Sequence, residues 1–103
     1  MAKEFLPNHR EAVFLAILRG SEKYGLEIRD EYKRLTRELL PLGSLYTTLD
    51  RMIEKGFLES WLGESSHERG GNRRRYFKVT AQGTRALMAY QLRAQAFAGW
   101  ANA

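Results

Sequence analysis

Ser44, Thr47, Thr48, Arg51 and Lys55 fall together on one side of a helix, opposite an apolar side made of Leu42, Leu45, Leu49, Met52 and Ile53, with Tyr46 at its edge. Their types suggest a particular chemistry. Short hydroxyl side chains near the helix start can bring small donors and acceptors to base edges in a groove, and the long cations further along can meet phosphate. Asp50 and Glu54 turn toward the flanks of this face. An ordinary amphipathic helix with a solvated outer side is the competing reading of this segment alone. Gly56 supplies a left-handed stop at low steric cost.

A second group of cations follows. The formal net charge is +5, yet residues 1–68 carry ten basic and twelve acidic side chains, whereas residues 69–78 carry five basic and none acidic. Excess charge gathered in one short segment points to a local anionic partner rather than a generally basic surface. Phe57 to Leu62 alternates as a strand, Gly63 to Asn72 is polar and rich in turn formers, and Arg73 to Val79 reads as a second strand. Arg69, Arg73, Arg74 and Arg75 therefore surround a hairpin tip, where their planar forks suit phosphate and minor-groove contacts. The alternative is a solvated turn with a chance arginine run, but adjacent arginines repel and no acid in the segment relieves them. Gly70 and Gly71 permit close approach without forming a nucleotide-binding loop, since neither phosphate-loop pattern is present.

Other chemistries find little support. There is no cysteine, so disulfides, thiolate metal sites and a thiol nucleophile are excluded. His9 reads as a first-turn surface residue and His67 most simply as a surface residue of the loop, with a weak phosphate contact on protonation as the alternative. No metal or other cofactor is expected. No paired carboxylates occupy an apolar setting, so the expectation is a protein that is not an enzyme. No apolar run is long enough to span a bilayer and the N-terminus lacks a secretion signal, so a cytoplasmic location and no membrane partner are expected.

The elements that position these residues can be read in order. Asn8 with Glu11 forms a capping pattern for a first helix that runs to about Arg19 and stops at Gly20. Its apolar residues from Ala12 to Leu18 nearly encircle it, which predicts burial on two sides. Ser21 to Lys23 reads as a connection. Tyr24 to Arg37 reads as a second helix, with Tyr24 packed against the third helix in preference to facing a ligand. Thr36 to Leu40 is open between a last turn and a loop, and Pro41-Leu42 offers the third helix no capping side chain. Thr80 caps a final helix from Ala81 to about Ala98, with Ala86/Leu87, Tyr90, Ala94 and Phe97/Ala98 in a stripe extended by Trp100 or Ala101. That stripe outruns the compact body, so pairing with a second copy would cover it, and a chain of 103 residues gains stability from such pairing. A helix folded back on its own body, or a frayed tail, is the alternative. Tyr90, Phe97 and Trp100 could line an interfacial cavity for a flat hydrophobic effector, although plain dimer core is the simpler role.

The expected fold is mainly α with a small antiparallel β-hairpin. It is a winged helix-turn-helix over residues 1–79, followed by a C-terminal dimerisation helix over residues 80–103. The expected function is sequence-specific binding of an inverted repeat in double-stranded DNA by a homodimeric, ligand-responsive repressor. A winged-helix module that binds protein instead of DNA is the alternative, because fold alone does not determine function.

The residues Tyr24-Gly25-Leu26-Glu27-Ile28, Leu40 to Leu49, Gly70 to Thr80 and Gly83 resemble the PadR family of bacterial transcriptional regulators over about residues 10–88. The resemblance implies a dimeric winged-helix regulator, often a repressor responding to phenolic or toxic hydrophobic compounds. It implies that Ser44, Tyr46, Thr47 and Arg51 belong to the operator-facing helix and Arg73 to Arg75 to the wing. Two local departures are the order Tyr24-Gly25, where the family usually has glycine-tyrosine, and Pro41-Leu42, where serine-proline is common. The chain looks like the short form of the family, some members of which bind flat drugs between paired aromatics near the position of Trp100.

Overall fold

The computed structural model describes residues 6–64 and 73–102. Four helices and three strands follow in the order α1 (His9–Leu18), β1 (Lys23–Tyr24), α2 (Gly25–Thr36), α3 (Leu42–Glu54), β2 (Leu58–Leu62), β3 (Arg75–Val79) and α4 (Ala81–Ala101). The Asn8 side chain accepts from the Glu11 amide at 2.8 Å, and Glu11 accepts from the Asn8 amide at 2.9 Å. Reciprocal capping of this kind satisfies two amides that the first turn leaves without helical partners. Ala12, Phe14, Leu15 and Leu18 enter the core, while Val13 and Ile17 are half-buried and Ala16 is exposed. One side of α1 thus faces the body and the other is left partly open. Around α1 the core gathers Ile28 and Tyr32 of α2, Leu45, Leu49 and Met52 of α3, Phe57 just before β2, Leu58 and Phe77 from the sheet, and Ala86 and Leu87 of α4.

The strands form one antiparallel sheet in the order β1-β3-β2. The expected hairpin is its β2–β3 half. The third strand takes the last residue of the expected connection and the first of the expected second helix, and two residues are too few to show alternation. Its consequence falls on Tyr24, which pairs with Tyr76 across the sheet and meets that ring edge-on at 5.8 Å. Tyr24 therefore packs against the wing strand. Arg37, with φ 66°, closes α2 in the left-handed region, and residues 38–41 form a loop that buries Leu40. The Arg29 Nε donates to the Leu40 carbonyl at 2.7 Å and holds that loop to α2. As its sequence suggests, α3 starts at Pro41 without a side-chain cap.

Thr80 caps α4 by accepting from the Gly83 amide at 3.0 Å. Gly83 is required here: a Cβ at that position would collide with the Phe57 carbonyl and lie 2.9 Å from Val79 Cγ1. Past Tyr90, every described residue of α4 is exposed. The helix leaves the body as an arm, and the molecule measures 57 × 37 × 23 Å. A fold-back onto its own body does not occur.

Candidate nucleic-acid interface

The solvent-facing ridge of α3 consists of Gly43, Thr47, Asp50, Arg51 and Glu54, recurring at the steps of one helical face. Compared with the sequence reading, this face is turned so that Thr48 and Lys55 move inward and the two acids move outward. Thr48 is only 8% exposed, and its hydroxyl donates to the Ser44 carbonyl at 2.8 Å. The Lys55 ammonium donates to both oxygens of Glu11 at 2.9 Å. Glu11 is 1% exposed, and a carboxylate so deep in the protein requires a cation beside it. The Lys55 position is therefore set by what Glu11 needs, a demand that helical phase does not display.

Ser44 and Tyr46 occupy the half-buried borders of the ridge. Tyr46 rests on Gly25 at the start of α2, where a Cβ would stand 2.5 Å from the Tyr46 hydroxyl and 2.9 Å from its ring carbons. The glycine lets the aromatic lie against bare backbone, which holds the start of α3 close to α2. Thr47 and Arg51 are exposed, and Arg51 has no carboxylate partner among the described residues.

Each wing arginine has a different setting. Arg73 is exposed and has no ion-pair partner among the described residues. The Arg74 guanidinium lies 4.2 Å from the centre of the Tyr24 ring, a cation–π stack at the end of an aromatic row that continues through Tyr76 to Trp61. Trp61 and Tyr76 stack at 6.1 Å with their planes 16° apart. Arg75 turns to the other face of the sheet, with one terminal nitrogen 2.9 Å from Asp50 of α3 and its Nε donating to Ser60 at 2.9 Å. That contact brings the base of the wing against the α3 ridge. Arg69, His67, Gly70, Gly71 and Asn72 lie outside the described residues.

The three aromatics considered for an effector separate into two groups. Tyr90 is half-buried where α4 leaves the body, and its hydroxyl lies 2.9 Å from His9 Nδ1, which ties α4 to the first turn of α1. Phe97 and Trp100 stand in the exposed arm with ring centres 6.2 Å apart. Sequence reasoning missed Met88 and Leu92, two further large apolar side chains that α4 leaves exposed. It also missed Asp50 as a partner for the wing. Met88 and Leu92 stand four residues apart on the helix, a signal legible in the sequence, whereas the Asp50 contact depends on where the strand lies.

A helix in the second position of a helix-turn-helix, followed by a two-stranded wing and an extra C-terminal helix, defines a winged-helix protein. The family model of the PadR-like transcriptional regulators matches residues 14–89. This chain belongs to that family, and it is a transcriptional regulator rather than an enzyme. Solved structures agree with the fold. A PadR family regulator from Clostridium difficile is 26% identical, with a TM-score of 0.75 over 92% of this chain and 96% of its own. A PadR-like transcription factor from Bacteroides fragilis is 22% identical, with a TM-score of 0.79 over 90% of this chain and 86% of its own. Bacillus subtilis PadR, solved in complex with operator DNA, is 17% identical, with a TM-score of 0.71 over 82% of this chain and 47% of its own.

Proposed function

We propose that this regulator binds an inverted repeat in double-stranded DNA as a homodimer and represses transcription until a flat hydrophobic effector occupies the dimer centre. One observation carries the DNA reading. The Asp50–Arg75 contact at 2.9 Å joins the wing to the α3 ridge, so that Thr47 and Arg51 stand beside a basic strand. The ridge would enter the major groove, with Thr47 and Arg51 at base edges and Ser44 and Tyr46 at the groove wall. Arg73 would meet phosphate on the flank, and Arg74, extended over Tyr24, would reach the same strand. Thr48 and Lys55 support the helix from behind and touch no DNA.

Self-association is supported by the arm. Leu92, Phe97 and Trp100 are 65%, 67% and 77% exposed, an apolar display that a second copy can cover together with the open side of α1. Two ridges related by a two-fold axis would read half-sites about 34 Å apart. The effector would lie between Phe97 and Trp100 of the two protomers, next to Tyr90, and would act by changing the spacing of the ridges. Affinity measured over a salt series for random and selected duplexes tests the reading, alongside sedimentation to establish the oligomer. The expected result is a dimer whose duplex binding falls steeply with salt. Salt-insensitive or absent duplex binding would favour the protein-binding module. Titration with planar hydrophobic compounds should quench tryptophan emission and lower duplex affinity; failure of both would remove the effector.

A further inference from the structure

Three adjacent arginines lead into β3, and among the described residues Arg75 alone is neutralised by a carboxylate. Arg75 is held three ways: by Asp50 at 2.9 Å, by the Ser60 hydroxyl at 2.9 Å and by the Phe77 ring, whose centre lies 5.0 Å from the guanidinium carbon. A lone exposed ion pair holds a side chain weakly, but the added hydrogen bond and ring contact restrict this one. The carboxylate responsible stands on the exposed ridge of α3, between Thr47 and Arg51. An acid on a surface that faces phosphate is unfavourable unless its charge is spent on a neighbouring cation, and Arg75 is that cation.

We propose that Asp50 is a specificity-determining residue that withholds Arg75 from DNA phosphate. The proposal rests on the DNA-binding reading given above. Each phosphate neutralised by a cation contributes affinity that ignores sequence, and steepens the dependence of log K on log salt by about 0.9. At about 0.15 M salt one such contact corresponds to roughly a fivefold gain for any duplex. Regulation depends on the ratio of specific to non-specific binding, because non-specific sites vastly outnumber operators. Holding Arg75 on Asp50 removes one indiscriminate contact. The same pair sets the angle between wing and ridge, which matters only when the ridge is seated on its own sequence.

Four proteins decide the matter: wild type, D50N, R75Q and the double variant, each confirmed as folded by its circular dichroism melt. Each is titrated over a salt series with a random duplex and with one selected on the wild type. D50N should bind the random duplex about fivefold more tightly at about 0.15 M salt, with a slope steeper by about 0.9. The selected duplex should gain less, so the specificity ratio falls. In the R75Q background the D50N change should leave the slope unaltered, since no cation is released. An unaltered slope in D50N overturns the proposal, as does equal steepening in the R75Q background or an equal gain by the selected duplex. Wild type that shows no salt-dependent duplex binding refutes the DNA reading itself, whereas normal wild-type binding with an inert D50N refutes only the role of Asp50.

Discussion

The Lys55 ammonium and the two Glu11 oxygens form a buried contact between the end of α3 and the first turn of α1. Among the described residues, removing the cation leaves Glu11 with only the Asn8 amide, and an uncompensated buried carboxylate typically costs about 3 kcal/mol. Lys55→Met should therefore lower stability in urea unfolding by about that amount. Under native conditions the salt slope of duplex binding is expected to stay unaltered, because this ammonium is engaged by Glu11. Arg51 and Arg73 should behave differently from Lys55 and from each other. Arg51→Ala should relax preference at one base pair of a selected site, by about 1–3 kcal/mol in a competition series. Arg73→Ala should weaken all duplexes alike and reduce the salt slope by about 1.

Packing between elements depends on two glycines that permit close approach. At Gly83 an added methyl would meet the Phe57 backbone carbonyl, which cannot move without shifting the sheet. At Gly25 the obstacle is the far end of the Tyr46 side chain, which can swing away. Gly83→Ala should accordingly cost about 1–3 kcal/mol in thermal unfolding, and Gly25→Ala less. Gly25→Ala should instead perturb duplex preference, since displacing Tyr46 alters the border of the ridge; equal affinities across a duplex panel would count against that placement. The wing is an element of the same kind. Its position relative to α3 comes from Arg75 reaching Asp50 and from Thr80, whose amide donates to the Phe57 carbonyl at 3.0 Å and whose hydroxyl donates to the Gly56 carbonyl.

At the scale of the whole molecule, a 21-residue α4 extends about 31 Å, and only its first half rests on the body. Replacing Leu92 by glutamate would place a charge in the middle of the arm's apolar surface. Leu92→Glu should yield monomers in sedimentation with the winged-helix body still folded, because Leu92 is absent from the core. Affinity for an inverted repeat should then fall by about a hundredfold while a single half-site is little affected, as expected when two linked contacts are separated. The tie between Tyr90 and His9 gives the arm a fixed root on α1, so a change in arm pairing would be felt at the helix that also carries Glu11.

Local sequence determined those features whose physics is local. Asn8 and Glu11 cap α1 because their side chains reach amides three residues away, and Thr80 caps α4 for the same reason. The apolar spacing of Leu45, Leu49 and Met52 set the buried side of α3, and the alternation around Phe77 set the inward face of β3. The cluster of arginines and the resemblance to PadR regulators were likewise legible along the chain. Tertiary structure decided the roles that depend on a distant partner. Lys55 turns inward because Glu11, 44 residues earlier, needs its charge, and Arg75 turns toward α3 because Asp50 stands there. Tyr24 joins the wing because a two-residue strand finds β3. Charge on a helix face is visible from spacing, but which charge is spent within the molecule depends on packing between elements.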